Sequence, residues 1–151
     1  MLKNTGITIA LAMLSMVGAL GIDAYLPSFP AIIQDFQTTP LAVQQTLSIY
    51  VGAMAITTLF AGTLSDSFGR RPTVIVSLLL FMAGSALAIF AKDIQVLLVA
   101  RALQGVAAGF GSVLSRTIVQ DRFQGAEAQR VMALIMMVFS IAPSFAPVIS
   151  G

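Results

Sequence analysis

This sequence predicts an all-α, polytopic integral membrane protein with five transmembrane helices, and three observations predict it. Charged residues make up 9% of the 151 residues, against about 25% in soluble domains. Apolar residues make up 58%, and the mean hydropathy is +0.96. The few charges also separate five apolar stretches, each close to the roughly 20 residues that a helix needs to cross a hydrocarbon core. Lipid offers the backbone no hydrogen-bond partner, so each stretch must satisfy its own N–H and C=O groups, as an α-helix does. A soluble helical bundle would require five unrelated stretches to imitate membrane spans.

The first span comes from the uncharged residues 4–22, with a helix expected over about residues 5–27. Lys3 and the small-residue triplet Ala19-Leu20-Gly21 imitate a signal peptide. The apolar stretch exceeds the about 7–15 residues of a signal core, however, and Asp23 and further spans follow it. It is read as a retained helix. The second span is expected over about 43–64 and the third over about 72–91. The fourth, about 94–117, contains a single charge, Arg101. The fifth, about 129–151, contains Pro143 and Pro147 and runs to Gly151. Each proline removes an i→i−4 hydrogen bond, so a bend is expected there.

Loop charges orient the spans. Lys3, Arg70, Arg71, Arg116, Arg122 and Arg130 fall on one side, and Lys92 alone falls on the other. An excess of Lys and Arg marks the cytoplasmic side, which places the N-terminus in the cytoplasm. Small residues stud the second span (Gly52, Ala53, Ala55, Ala61, Gly62) and the fourth (Gly105, Ala107, Ala108, Gly109, Gly111, Ser112). They are expected to let helix backbones approach closely in lipid. The fourth span is so rich in them that protein, not lipid, should surround it.

Composition narrows the chemistry. Without Cys or His there is no thiol, disulfide or imidazole chemistry. No phosphate-cradling Gly loop of the G-x-x-x-x-G-K type is present, so an enzyme is not expected. The basic pI of about 9.5 reflects only two net charges, and no basic patch suggests nucleic acid. Two charges need an explanation. Arg101 lies roughly 10 Å inside the fourth span, where a charge costs at least about 2.5–3.5 kcal/mol. Asp23, near the outer end of the first span, is the carboxylate at comparable depth, and the two are expected within salt-bridge or water-bridged reach. Tyr25 reads as an interface anchor. Residues 62–72 read as a tight turn in which Gly62 allows close packing, Gly69 permits positive φ and Pro72 suits the start of a helix.

These segments resemble the N-terminal half of the major facilitator superfamily over all 151 residues. Gly62-Thr63-Leu64-Ser65-Asp66-Ser67-Phe68-Gly69-Arg70-Arg71-Pro72 is similar to that family's signature between helices 2 and 3, G-x-L-[AS]-D-x-x-G-R-[RK]-P. Arg101-Ala102-Leu103-Gln104-Gly105-Val106-Ala107-Ala108 is similar to its helix 4 signature, R-x-x-Q-G-x-x-A. Ala146-Pro147-Val148-Ile149-Ser150-Gly151 is similar to the helix 5 signature of drug/proton antiporters, G-P-x-x-G-G, with departures at Ala146 and Ser150. The run Gly21-Ile22-Asp23-Ala24-Tyr25-Leu26-Pro27 resembles exporters of the bicyclomycin and chloramphenicol resistance type.

The resemblance implies a bacterial inner-membrane exporter of drugs or small metabolites that is driven by the proton gradient and has no cofactor or metal. It implies two six-helix halves rocking around a central site. Asp23, Arg101, Tyr25 and Gln104 would handle proton and substrate. Gly62, Asp66, Gly69, Arg70, Arg71 and Asp121 would form a cytoplasmic gate, with Arg70 on Asp121 and Asp66 meeting the other half. Pro143, Pro147 and Gly151 would form the bend of helix 5. Its partners would be lipid, protons, a small-molecule substrate and a missing C-terminal half, because five helices predict a piece of a longer protein. A metabolite symporter of the same superfamily, or a non-transporting scaffold or partner subunit, is the alternative.

Overall fold

The computed structural model describes residues 2–150, and the described residues form six α-helices and no strand. They are α1 (Leu2–Asp23), α2 (Phe29–Asp35), α3 (Pro40–Phe68), α4 (Arg70–Ile89), α5 (Ile94–Arg122) and α6 (Gly125–Ser150). Four segments are long and apolar enough to cross a membrane: Thr8–Asp35, Pro40–Phe68, Arg70–Ile89 and Ile94–Arg122. With α6 they make the all-α, multi-pass membrane architecture of five spans.

The apolar stretches mark the hydrocarbon edges, but local caps set the helix ends. The first span does not run straight to residue 27. It stops at Asp23, a 3-10 turn follows at Leu26–Ser28, and α2 begins at Phe29. The reason is Pro27 and Pro30, which have no N–H to give to the carbonyls of Asp23 and Leu26 one turn back. The second span begins at Pro40, where the Thr39 side chain caps the amide of Ala42, and continues to Phe68. At 29 residues, α3 and α5 are each about 43 Å long, enough to cross the headgroup layers as well as the core. Asp93 caps α5 through the amide of Val96 at 2.9 Å. Gly69, at φ +92°, turns the chain between α3 and α4 within a single residue.

The helix α5 is the axis of the bundle. It packs on α1, α3 and α4, and more lightly on α6, while α6 lies mainly against α1. Half of the apolar window of α5 is buried, against 17% in α3 and α4, so protein surrounds this helix on several sides. Its small residues explain how. At Gly105 an added methyl would run into the Tyr50 carbonyl oxygen, and at Gly109 it would lie 2.8 Å from the Met54 carbonyl oxygen. The backbones of α3 and α5 touch at these two positions, one helical turn apart. The small residues of α3 are used less. Ala61 is buried, whereas Gly52 and Gly62 meet nothing within 4 Å, so the close packing expected of Gly62 is not made among the described residues.

An apolar cluster closes the end of the bundle that carries Arg70. Leu11, Val119, Phe123, Val131 and Ile135 are buried there, joining α1, α5 and α6. The helix α6 continues through Pro143 and Pro147 to Ser150. Gly151 lies outside the described residues.

Candidate functional site

Two polar constellations occupy opposite ends of this bundle. The first is built around Arg101, which sits inside α5 and is only 5% exposed. Its Nη2 donates to the carbonyl of Gly21 at 2.6 Å, and its Nη1 donates to Gln104 Oε1 at 3.0 Å. The guanidinium carbon lies 4.0 Å from the ring centre of Tyr25 and 4.4 Å from that of Tyr50. Two aromatic rings therefore cover a planar cation, an arrangement worth about 2 kcal/mol or more per ring when desolvated.

The shell around this cation extends outward. Tyr50 donates to the carbonyl of Gly18 at 2.9 Å. The Tyr25 hydroxyl and Thr46 Oγ1 share a hydrogen bond of 2.6 Å, and the Tyr25 ring stands edge-on to Phe29 at 5.3 Å. Gln104 Nε2 donates to Ser85 Oγ at 3.0 Å. The network thus joins α1, the turn after it, α3, α4 and α5. A side chain at Gly21 would collide with the Tyr50 hydroxyl, so the glycine lets α1 close on the ring. Arg101 Nε is buried and has no hydrogen-bond partner among the described residues. An orphaned donor of this kind costs about 1–3 kcal/mol, or more when charged.

Asp23 is not part of this contact set. Among the described residues it makes no ion pair, and the direct salt bridge expected with Arg101 is not formed. Asp23 is the last residue of α1, and the carbonyl of Gly21, two residues earlier, takes the place expected for its carboxylate. Nor is Tyr25 simply an interface anchor, because its ring covers the cation. Gln104 was legible from the sequence through the helix 4 signature that resembles the family, and the structure shows it three residues from Arg101 on the same helix, bonded to it. Tyr50, Thr46 and Ser85 were not, because they come from other helices and belong to no motif.

The second constellation lies at the turn between α3 and α4. Arg70 is held on three sides. Its Nη1 reaches Asp66 Oδ1 at 2.8 Å and Ser65 Oγ at 2.6 Å, and its Nε donates to Asp121 Oδ2 at 2.9 Å. Ser65 is buried, and its hydroxyl donates to the carbonyl of Gly62 at 2.9 Å. Arg70 therefore ties the end of α3 to the end of α5. The structure brings Asp66, Gly69, Arg70 and Asp121 together and leaves Arg71 exposed and, among the described residues, without an ion pair. Ser65 is the member that sequence reasoning passed over, although it stands within the signature. The side chains of Pro143 and Pro147, expected to form the helix 5 bend, lie outside the described residues.

Comparison with known proteins agrees with this architecture. The sequence pattern described as the Major Facilitator Superfamily matches residues 11–151. The chain is 38% identical over 149 residues to the MFS-type transporter YdgK of Bacillus subtilis (strain 168), covering 99% of the chain and 37% of that protein. It is 30% identical over 149 residues to multidrug resistance protein D of Escherichia coli (strain K12), covering 99% of the chain and 38% of that protein. It is 37% identical over 153 residues to a bicyclomycin resistance protein homolog of Haemophilus influenzae (strain ATCC 51907 / DSM 11121 / KW20 / Rd), covering 99% of the chain and 38% of that protein. The chain thus spans less than two-fifths of the length of these relatives.

Proposed function

Because this chain belongs to the Major Facilitator Superfamily, we propose that it is the N-terminal part of a secondary active transporter, which exports drugs or small metabolites in exchange for protons by alternating access. The observation that carries this reading is the buried Arg101 with its shell drawn from four helices and a turn. A desolvated cation inside a membrane bundle is costly and persists where it serves transport. The relatives named for multidrug and bicyclomycin resistance support an exporter of small molecules. The protein is a transporter and not an enzyme, and the proton gradient is its energy source.

In this reading Asp23 carries the proton. It is half-buried, stands just beyond the Gly21 carbonyl that Arg101 holds, and is free of other ion pairs among the described residues. Arg101 would sense its charge, and the unpartnered Nε offers a place for an acceptor from the substrate or from Asp23 as the helices shift. Tyr25, Tyr50 and Gln104 hold the guanidinium in position. At the other end, Arg70 with Asp66 and Asp121 forms a gate. Gly62 and Asp66, one turn apart on α3, present an open face for the other half of the transporter. The positive-inside bias, with six basic residues at the Arg70 end, supports a cytoplasmic N-terminus in a bacterial inner membrane.

Drug-driven proton release from inverted membrane vesicles tests the assignment. The Asp23→Asn variant is expected to bind substrate but to lose coupling to the proton gradient. Unchanged coupling removes Asp23 from the mechanism.

A further inference from the structure

The guanidinium of Arg101 is planar, and two kinds of contact restrain it. The rings of Tyr25 and Tyr50 lie over its central carbon at 4.0 and 4.4 Å. Rings over a planar cation resist tilting but leave it free to turn in its own plane. Hydrogen bonds along the N–H directions stop that turn, because the donors form a rigid fork. Arg101 makes two of them, from Nη2 to the Gly21 carbonyl and from Nη1 to Gln104 Oε1. The first acceptor is main chain and moves only with α1. The second ends a flexible side chain and is as firm as whatever holds Gln104.

Ser85 of α4 holds it. Arg101 can only donate, so the Gln104 amide must turn its oxygen toward the cation and its Nε2 away. Gln104 is buried, and a buried amide donor needs an acceptor. Ser85 Oγ supplies one at 3.0 Å. The preceding residue brings the hydroxyl within reach. Gly84 is buried, and a methyl there would lie 2.9 Å from the Ala100 carbonyl oxygen, 2.9 Å from Gln104 Cγ and 3.2 Å from the Gln104 amide nitrogen. The backbone of α4 therefore rests on α5 at Gln104 itself, next to the hydroxyl that Gln104 needs. These contacts lie between two packed helices and not on an open face of the bundle.

We propose that Ser85 is a positioning residue for Arg101. Acting through Gln104, it fixes the in-plane orientation of the guanidinium, and with it the direction of Nε, which has no hydrogen-bond partner among the described residues. The consequence for transport rests on the reading of Arg101 as part of the transport mechanism, whereas the orientation does not.

The test uses the complete membrane protein that contains this chain, labelled with ¹⁵N-arginine and purified in detergent. The Nε–H resonance of Arg101, assigned by its loss in Arg101→Lys, reports orientation without any transport. It is expected to shift or split in Ser85→Ala and in Gln104→Leu. It should return to its original position in Ser85→Thr, which keeps the hydroxyl and so separates positioning from loss of fold. Drug uptake and proton release in inverted vesicles read the consequence. Ser85→Ala should slow coupled transport about 2- to 12-fold, the factor that one ordinary hydrogen bond is worth. The same change should cost nothing more in a Gln104→Leu background, because the two residues act in one chain. An unmoved Arg101 resonance in Ser85→Ala, a moved resonance with transport unchanged, or a Ser85→Ala loss that adds in full to that of Gln104→Leu would overturn the proposal. Absence of proton-coupled export in the unaltered protein would overturn the transport reading instead, and the resonance would still decide the positioning.

Discussion

Replacing Gly109 by Ala probes the packing that holds Arg101 in place. The new methyl would sit 2.7 Å from Thr57 Cβ and 2.8 Å from the Met54 carbonyl oxygen. Ordinary contact begins near 3.4 Å, so α3 must retreat by about 0.6 Å from the carbonyl alone. Neither obstacle is the end of a flexible side chain, so the helix as a whole has to move. Overpacking of this kind costs about 1–3 kcal/mol. Alanine recovers about 0.8–1 kcal/mol through its better helix propensity. The net loss is about 0–2 kcal/mol, and Gly105→Ala should lose more, because its methyl strikes the Tyr50 carbonyl oxygen and lies 3.0 Å from Ala53 Cβ. Gly52→Ala makes the same chemical change on α3 where nothing lies within 4 Å, and it should be neutral or stabilising by up to about 1 kcal/mol. Melting of fluorescent-protein fusions in mild detergent reads the difference, at about 2–4 °C per kcal/mol for a chain of this size. If Gly109→Ala and Gly52→Ala melted together, the α3–α5 contact would not be the close backbone approach described here.

Two further outcomes are expected. Tyr50→Phe keeps a ring over Arg101 but loses the hydrogen bond to the Gly18 carbonyl, which costs about 0.5–1.5 kcal/mol, whereas Tyr50→Ala also uncovers the cation and should melt well below it. Melting curves of the two variants check this, and identical curves would mean that the ring contributes nothing. Asp121→Asn should cost less than about 1 kcal/mol of stability, because the side chains of Arg70 and Asp121 are 30% and 51% exposed and solvent screens the pair. Its effect should appear instead in transport rates, and a loss of several kcal/mol in a melt would show that the pair is structural.

The sequence by itself determined the class of this protein. Five apolar stretches between sparse charges can satisfy their backbones in lipid only as helices, so number, order and approximate position of the spans follow from local composition. It also pointed to Arg101, because a charge inside a span stands out against its neighbours, to Arg70, because the signature that resembles the family carries it, and to Asp121, as the acid that the resemblance implies for Arg70 at the end of helix 4. Tertiary structure decided what meets these residues. Asp23 was the reasonable partner for Arg101 by depth and charge, yet a main-chain carbonyl and two tyrosine rings fill that place. Rings and carbonyls carry no net charge to flag them in a sequence, and Tyr50 reaches Arg101 only because Gly105 brings α3 and α5 together at Tyr50 itself. Helix ends likewise depended on single residues, the prolines after Asp23 and the caps at Thr39 and Asp93, which hydropathy averages away. Depth in the membrane is a one-dimensional property that the sequence carries, whereas the choice of partner across the bundle is settled by which backbones can approach.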